Sequence, residues 1–263
     1  MTTKKQIQDF IVLNNKKINS DYFELELKAP VKLPEIFPAQ FIEIHIENAK
    51  DTFLRRPISI HDIDYDKNTI TLLIQIKGEG TKTLSKIEKD ASLNIIYPLG
   101  NSFSIPDKKE KVLLVGGGCG SAPLLFLAKY LFNKNIIPYI LIGGKSENDI
   151  LKIENFGEYG NVFITTEDGS LGFKGIVTEH PLLKKEVEKH NISKIYTCGP
   201  EPMMKAIAKI ANKNNIACEA SLENMMACGI GACLCCVVET TSGNQRVCCD
   251  GPVFDVKNLK GWE

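Results

Sequence analysis

The sequence predicts an α/β-plus-β protein in three parts, on three observations. From Gln6 to about Phe103 apolar and polar residues alternate, as on strands with one buried face. From Lys111 continuous apolar runs alternate with stretches of helical period, the pattern of a parallel sheet covered by helices. The tail from about Cys218 is short and carries six of the nine cysteines between Met226 and Phe254. We therefore expect an N-terminal antiparallel β-barrel over residues 1–103, a parallel α/β domain over 104–217 and a small C-terminal domain over 218–263.

The barrel strands come first. "FELELKA", "QFIEIHI" and "TITLLIQI" each set apolar residues on one face, and Pro, Asn, Asp and Gly punctuate them. Short strands at this spacing predict a small closed sheet. "NSFSIPDKKEK" reads as a linker into the second part. There "KVLLVGGG", "PYILIGG", "NVFITTE" and "SKIYTCGP" read as buried strands, and "SAPLLFLAKYLFNK" and "EPMMKAIAKIANK" as helices. The tail has too few large apolar groups for a core of its own, and small units of that kind rely on metals or cross-links.

Composition narrows the function. Lys plus Arg number 32 and Asp plus Glu number 32, so no basic footprint for nucleic acid exists. No apolar run approaches the roughly 18 residues that read as a membrane span. The N-terminus "MTTKKQIQDF" lacks the apolar stretch of a signal peptide, so a cytoplasmic location is expected. In that compartment clustered cysteines read as metal ligands rather than disulfides.

The cysteine spacing is specific. Cys228 and Cys233 have four residues between them, Cys233 and Cys236 two, and Cys248 or Cys249 follows after eleven or twelve. That is the plant-type spacing for a [2Fe–2S] cluster. Gly229, Gly231 and Ala232 suit a loop whose N–H groups approach the sulfurs. A four-cysteine zinc site prefers two short knuckles, and no second knuckle is present. A Rieske centre needs two histidines, but the four histidines all lie outside the loop. Cys235 is expected to point away from the ligands. Spacing leaves Cys248 and Cys249 open as the fourth.

Glycine turns mark the other candidate sites. Gly116, Gly117, Gly118 and Gly120 lie where a buried strand turns into a helix, an arrangement that admits phosphate, although the strict G-x-G-x-x-G pattern is broken by Ala122 and Pro123. Cys198, Gly199 and Pro200 form a second such turn, and ligands of open α/β sheets gather at the carboxyl ends of strands. In the barrel, "LRRPISI" offers an arginine with Ser59 to clamp a pyrophosphate, and Gly78, Gly80 and Thr81 in "KGEGTKTLS" offer a second phosphate turn.

These motifs occur in one order: RPIS with a later GEGT, GGGxGxAPL with a later CGPEPM, and CGIGACxxC ending in CxDGPVF. Together they resemble the ferredoxin–NADP reductase superfamily, and within it the family of dihydroorotate dehydrogenase B electron-transfer subunits, over essentially the whole chain. The resemblance implies FAD on the barrel at Arg56, Pro57, Ile58 and Ser59. It also implies a strand, Leu73, Ile74 and Gln75, laid along the flavin, with Gly80 and Thr81 as a phosphate turn. NAD is implied at Gly116, Gly117, Gly118, Gly120, Cys198, Gly199 and Pro200. The tail becomes an iron–sulfur domain in which Cys248 joins Cys228, Cys233 and Cys236, leaving Cys235 and Cys249 as bystanders. Two departures are Cys119, where an aliphatic residue is usual, and Ala39, where glycine is common.

The function implied is a relay to NAD+ through the cluster and FAD. Its electrons come from a partner FMN-containing catalytic subunit that oxidises dihydroorotate, in a heterotetramer of two plus two chains serving pyrimidine biosynthesis. No side chain need act as acid or base. Lys145 and Ser146 are read as facing water rather than a 2′-phosphate. The alternatives are another NAD(P)H-dependent ferredoxin, sulfide or hydrogenase-type reductase subunit, and a non-enzymatic zinc- or nucleotide-binding module.

Overall fold

The computed structural model describes residues 4–47, 52–184, 187 and 189–263. Six strands form the first part: β1 (Gln6–Lys17), β2 (Tyr22–Lys28), β3 (Phe41–Ile44), β4 (Arg56–Asp64), β5 (Thr69–Gln75) and β6 (Ser92–Leu99). They close antiparallel in the order β1-β2-β5-β4-β3-β6, and a short helix, α1 (Glu79–Leu84), bridges β5 and β6. The expected alternation explains the filling. Leu25 and Leu27 of β2, Ile42 and Ile44 of β3 and Ile70 and Leu72 of β5 all point inward and are fully buried. Ala39, before β3, has φ +79, in the left-handed region that favours glycine.

The second part is a sheet whose buried strands bear out the apolar runs. Its elements are β7 (Lys111–Gly117), α2 (Ser121–Phe132), β8 (Tyr139–Gly144), α3 (Ile153–Tyr159), β9 (Asn161–Thr166), β10 (Phe173–Lys174), α4 (Pro181–Lys184), β11 (Ile192–Cys198), α5 (Glu201–Lys213) and β12 (Ala217–Ser221). Within β7, Val112 and Leu114 pack toward α2 while Leu113 and Val115 pack toward α5. Helix α5 buries Met204, Ile207, Ala208 and Ala211, one stripe at helical spacing.

The tail contributes β13 (Val237–Thr240), β14 (Gly243–Arg246) and β15 (Val253–Asp255). The hairpin β13–β14 stands alone, but β15 returns to pair antiparallel with β12, so the sheet runs β10-β9-β8-β7-β11-β12-β15. The sheet therefore extends past residue 217, where the sequence placed its second division. Strand β12 continues the parallel ladder with β11 from Lys194↔Ala217 to Cys198↔Ser221, and the excursion proper is 222–252. Asn101 ties that excursion to the barrel: its backbone N–H donates to Gly251 O (2.6 Å), its side-chain amide donates to Asp250 O (3.0 Å) and Val253 O (2.9 Å), and it accepts from Val253 N (2.9 Å).

Candidate functional site

Strand order positions the cavity at the glycine turns. β7, β8 and β9 lead one way across the sheet and β11 and β12 the other, so the topological switch lies between β7 and β11. Cys198 pairs with Gly116 there, which sets the two glycine turns side by side. Gly117, Gly118, Gly120, Gly199 and Pro200 line a cavity of about 590 Å³. Gly116 and Cys198 do not reach it. Gly116 is packed under Leu124 and Ile142, and Cys198 is 1% exposed behind Gly120. A methyl at Gly120 would overlap the Cys198 carbonyl, so this glycine is required by the close approach of two backbones. Lys145 stands on the rim of this cavity with Asp149 and Glu167, and Asp149 accepts from the Lys145 N–H (3.0 Å).

A second cavity, of about 300 Å³, opens on the barrel. It is lined by Arg56, Pro57, Ile58, Ser59, Leu73, Ile74, Gln75 and Thr81, the whole expected set except Gly80, which lies behind Arg56. The Arg56 Nε is buried without a hydrogen-bond partner, as suits a group awaiting an anion. Thr81 uses its hydroxyl locally, accepting from Lys77 N (2.9 Å) and Gly78 N (3.3 Å) and donating to Gly78 O (3.1 Å). Leu222, Met225, Met226 and Pro252 are also in the wall, so the tail forms one side of the barrel cavity.

The cavities meet at Gln75, Lys77, Cys119 and Glu223. Burial pushes the Cys119 thiol up to about 12, so it is a neutral wall group. Glu223 is reached by solvent through the cavities yet enclosed by protein. That enclosure raises its carboxyl, and Lys77 opposes the shift. The sequence reading missed Lys77, Glu167, Met203 and Glu223, because isolated residues outside glycine turns carry no local signal.

In the tail the thiols fall into two pairs. Cys228 and Cys233 lie within hydrogen-bonding range of each other, and the Cys248 N–H donates to the Cys236 sulfur (3.4 Å). The Ala232 N–H donates to the Cys228 sulfur (3.3 Å). Burial raises the Cys228 thiol, but the N–H groups of Ile230, Cys233 and Ala232, with the Cys233 thiol, outweigh it and bring it down to about 6. Thiols in pairs under backbone donors are the donor set a two-iron cluster takes. Among the described residues no three His, Cys, Asp or Glu side chains form a site for one metal ion. Cys248 is fully buried, raised by burial, by Cys236 and by Cys249, whose sulfur lies 3.7 Å from its own; Cys249 is half-buried with the Lys5 Nζ 3.5 Å from its sulfur. Cys235 is exposed and reaches the Met225 carbonyl (3.7 Å).

A closed antiparallel barrel beside a parallel sheet, with cavities that meet at the sheet's switch point, defines the class of reductases built on the ferredoxin–NADP reductase fold. The structure of an NADH-dependent reduced ferredoxin–NADP oxidoreductase, described for flavin-based electron bifurcation, superposes with a TM-score of 0.86 at 26% identity, covering 95% of this chain and 89% of that one. The ferredoxin reductase of carbazole 1,9a-dioxygenase shares the fold at a TM-score of 0.70, with 17% identity, 82% of this chain and 68% of that one. Residues 223–260 match the iron–sulfur cluster binding domain of dihydroorotate dehydrogenase B, and 114–209 an oxidoreductase NAD-binding domain. The dihydroorotate dehydrogenase B (NAD(+)) electron transfer subunit of Caldanaerobacter subterraneus subsp. tengcongensis is 42% identical, covering 92% of this chain and 94% of that protein. That of Fusobacterium nucleatum subsp. nucleatum is 37% identical over 95% and 96%. The chain belongs to the family of dihydroorotate dehydrogenase B electron transfer subunits.

Proposed function

We propose that this chain carries electrons from a dihydroorotate-oxidising partner to NAD+, using a [2Fe–2S] cluster and FAD. The observation that supports it most is adjacency: the tail walls the barrel cavity, and that cavity shares Gln75, Lys77, Cys119 and Glu223 with the cavity at the glycine turns. A nicotinamide exchanges a hydride, a cluster single electrons and a flavin either, so the flavin belongs between the other two. Arg56 and Ser59 bind the flavin's pyrophosphate, and Leu73, Ile74 and Gln75 orient its ring. Gly80 and Thr81 accommodate a phosphate through their backbone. Gly117, Gly118, Gly120, Gly199 and Pro200 receive the nicotinamide nucleotide, with Gly116 and Cys198 supporting them from behind. Cys228, Cys233, Cys236 and Cys248 hold the iron. The domains follow as flavin barrel, nucleotide sheet and cluster tail.

The partner is an FMN-containing catalytic subunit, in a two-plus-two assembly in the cytoplasm. No helix of the described residues is long and apolar enough to cross a membrane. The likeness to the ferredoxin–NADP oxidoreductase supports a second reading, a reductase subunit serving ferredoxin. Co-expression with an FMN-containing dihydroorotate-oxidising chain separates the two. The proposal expects a stable complex that reduces NAD+ with dihydroorotate. Failure to associate, together with efficient ferredoxin reduction by the chain alone, favours the second reading.

A further inference from the structure

Glu43 lies in β3 on the outside of the barrel, and the tail folds over it. It is 0% exposed, and neither carboxylate oxygen has a hydrogen-bond partner. A buried polar group without a hydrogen-bond partner is costly, so its presence calls for a use. On one side of it is Gly229, next to Cys228, at φ +63. A Cβ there would stand 2.6 Å from the Glu43 Cγ and 2.8 Å from Oε1. The loop of the first ligand thus rests directly on this carboxyl. On the other side are the barrel arginines, and neither neutralises it by pairing. Arg55 donates to the Asn94 carbonyl (2.9 Å) and to the main-chain carbonyl of Glu43 (3.4 Å), and also bonds the Asn94 side chain. The Arg56 Nε is itself unpartnered. Among the described residues Glu43 forms no ion pair.

We propose that Glu43 is a positioning residue for the cluster, whose carboxyl seats the Cys228 loop and holds the cluster at a lower reduction potential than a neutral side chain would. The inference rests on the reading of Cys228 as a ligand. Reduction adds negative charge to the cluster, and charge in a low-dielectric setting is disfavoured by a carboxylate close by. A lower potential favours release of the electron toward the flavin side. Position 43 belongs to neither the cysteine loop nor the flavin motif, so no motif points to it.

The test is an EPR-monitored redox titration of the holoprotein at about pH 8, above the value of about 7 to which burial raises the Glu43 carboxyl, comparing the native chain with Glu43→Gln. The variant is expected to keep its iron and flavin and to shift the cluster's reduction equilibrium about tenfold toward the reduced form, about 59 mV for one electron. An unchanged potential overturns the proposal. If the Gln variant holds no cluster, Glu43→Asp decides. Retention of the cluster at the native potential upholds the need for a carboxylate, and loss of the cluster there as well overturns it. A native chain without any [2Fe–2S] signal instead sinks the functional reading itself.

Discussion

Cys248 is fully buried with its N–H on the Cys236 sulfur, while its neighbour Cys249 is half-buried and faces Lys5. Spacing alone left these two thiols equivalent, because one residue more or less in an eleven-residue interval changes nothing a motif can register. Cys248→Ala is expected to abolish the visible absorbance of the cluster and to lower iron content to background, whereas Cys249→Ala retains both. Iron loss confined to Cys249→Ala would reverse the assignment. Glu43 was illegible for a different reason. In "QFIEIHI" it occupies a polar position of a period-two strand, which predicts a solvent face. The tail covers that face, and no local pattern announces a cover that arrives from residues nearly two hundred positions away.

At the scale of elements, the strands and helices of the sheet were legible wherever periodicity was strong, as in β7 and α5. The edge was not. β12 and the three-residue β15 owe their pairing to contacts between distant segments, so the division expected after residue 217 falls at the start of a strand. The glycine turns were legible as turns set at strand ends, but not which glycines line the cavity and which face neighbouring backbone. Gly120 belongs to both groups, since it lines the cavity and abuts the Cys198 carbonyl. Gly120→Ala must push the β7 turn away from the β11 turn. The expected result is a rise of at least about tenfold in KM for NADH with ferricyanide as acceptor, equivalent to a loss of about 1.4 kcal/mol of binding, with flavin content unchanged. An unaltered KM would show that the close approach of the turns does not shape the nucleotide site.

Across the whole molecule, helix α2 joins the barrel to the sheet. The His61 Nδ1 donates to the Ala122 carbonyl (3.0 Å), and the Lys129 Nζ meets Asp62 at 2.7 Å. Burial lowers the His61 pKa below its ordinary value, with Ala122, Glu24 and Asp62 opposing and Lys152 assisting. The folded state therefore favours neutral imidazole. The corresponding stability is full above about pH 6.5, the ordinary histidine value, and is lost as pH falls through the lower folded-state pKa. Thermal melts should show the native chain losing stability on acidification more steeply than His61→Gln, while at neutral pH the variant is weaker by about 1 kcal/mol for one hydrogen bond. Parallel pH profiles would remove His61 from the account. Asn101 performs the equivalent service for the tail. Asn101→Ala is expected to speed chelator-driven iron release severalfold, because it frees Val253 and Asp250 from the barrel; an unchanged release rate would show that the tail is held elsewhere.

The central claim is that three sites in contact form one electron path, and anaerobic titration of the purified holoprotein with NADH tests it most directly. The account predicts that flavin absorbance bleaches and the EPR signal of a reduced [2Fe–2S] cluster follows, in a chain holding one flavin, two irons and two sulfides. Bleached flavin beside a cluster that dithionite reduces but NADH never does would contradict it.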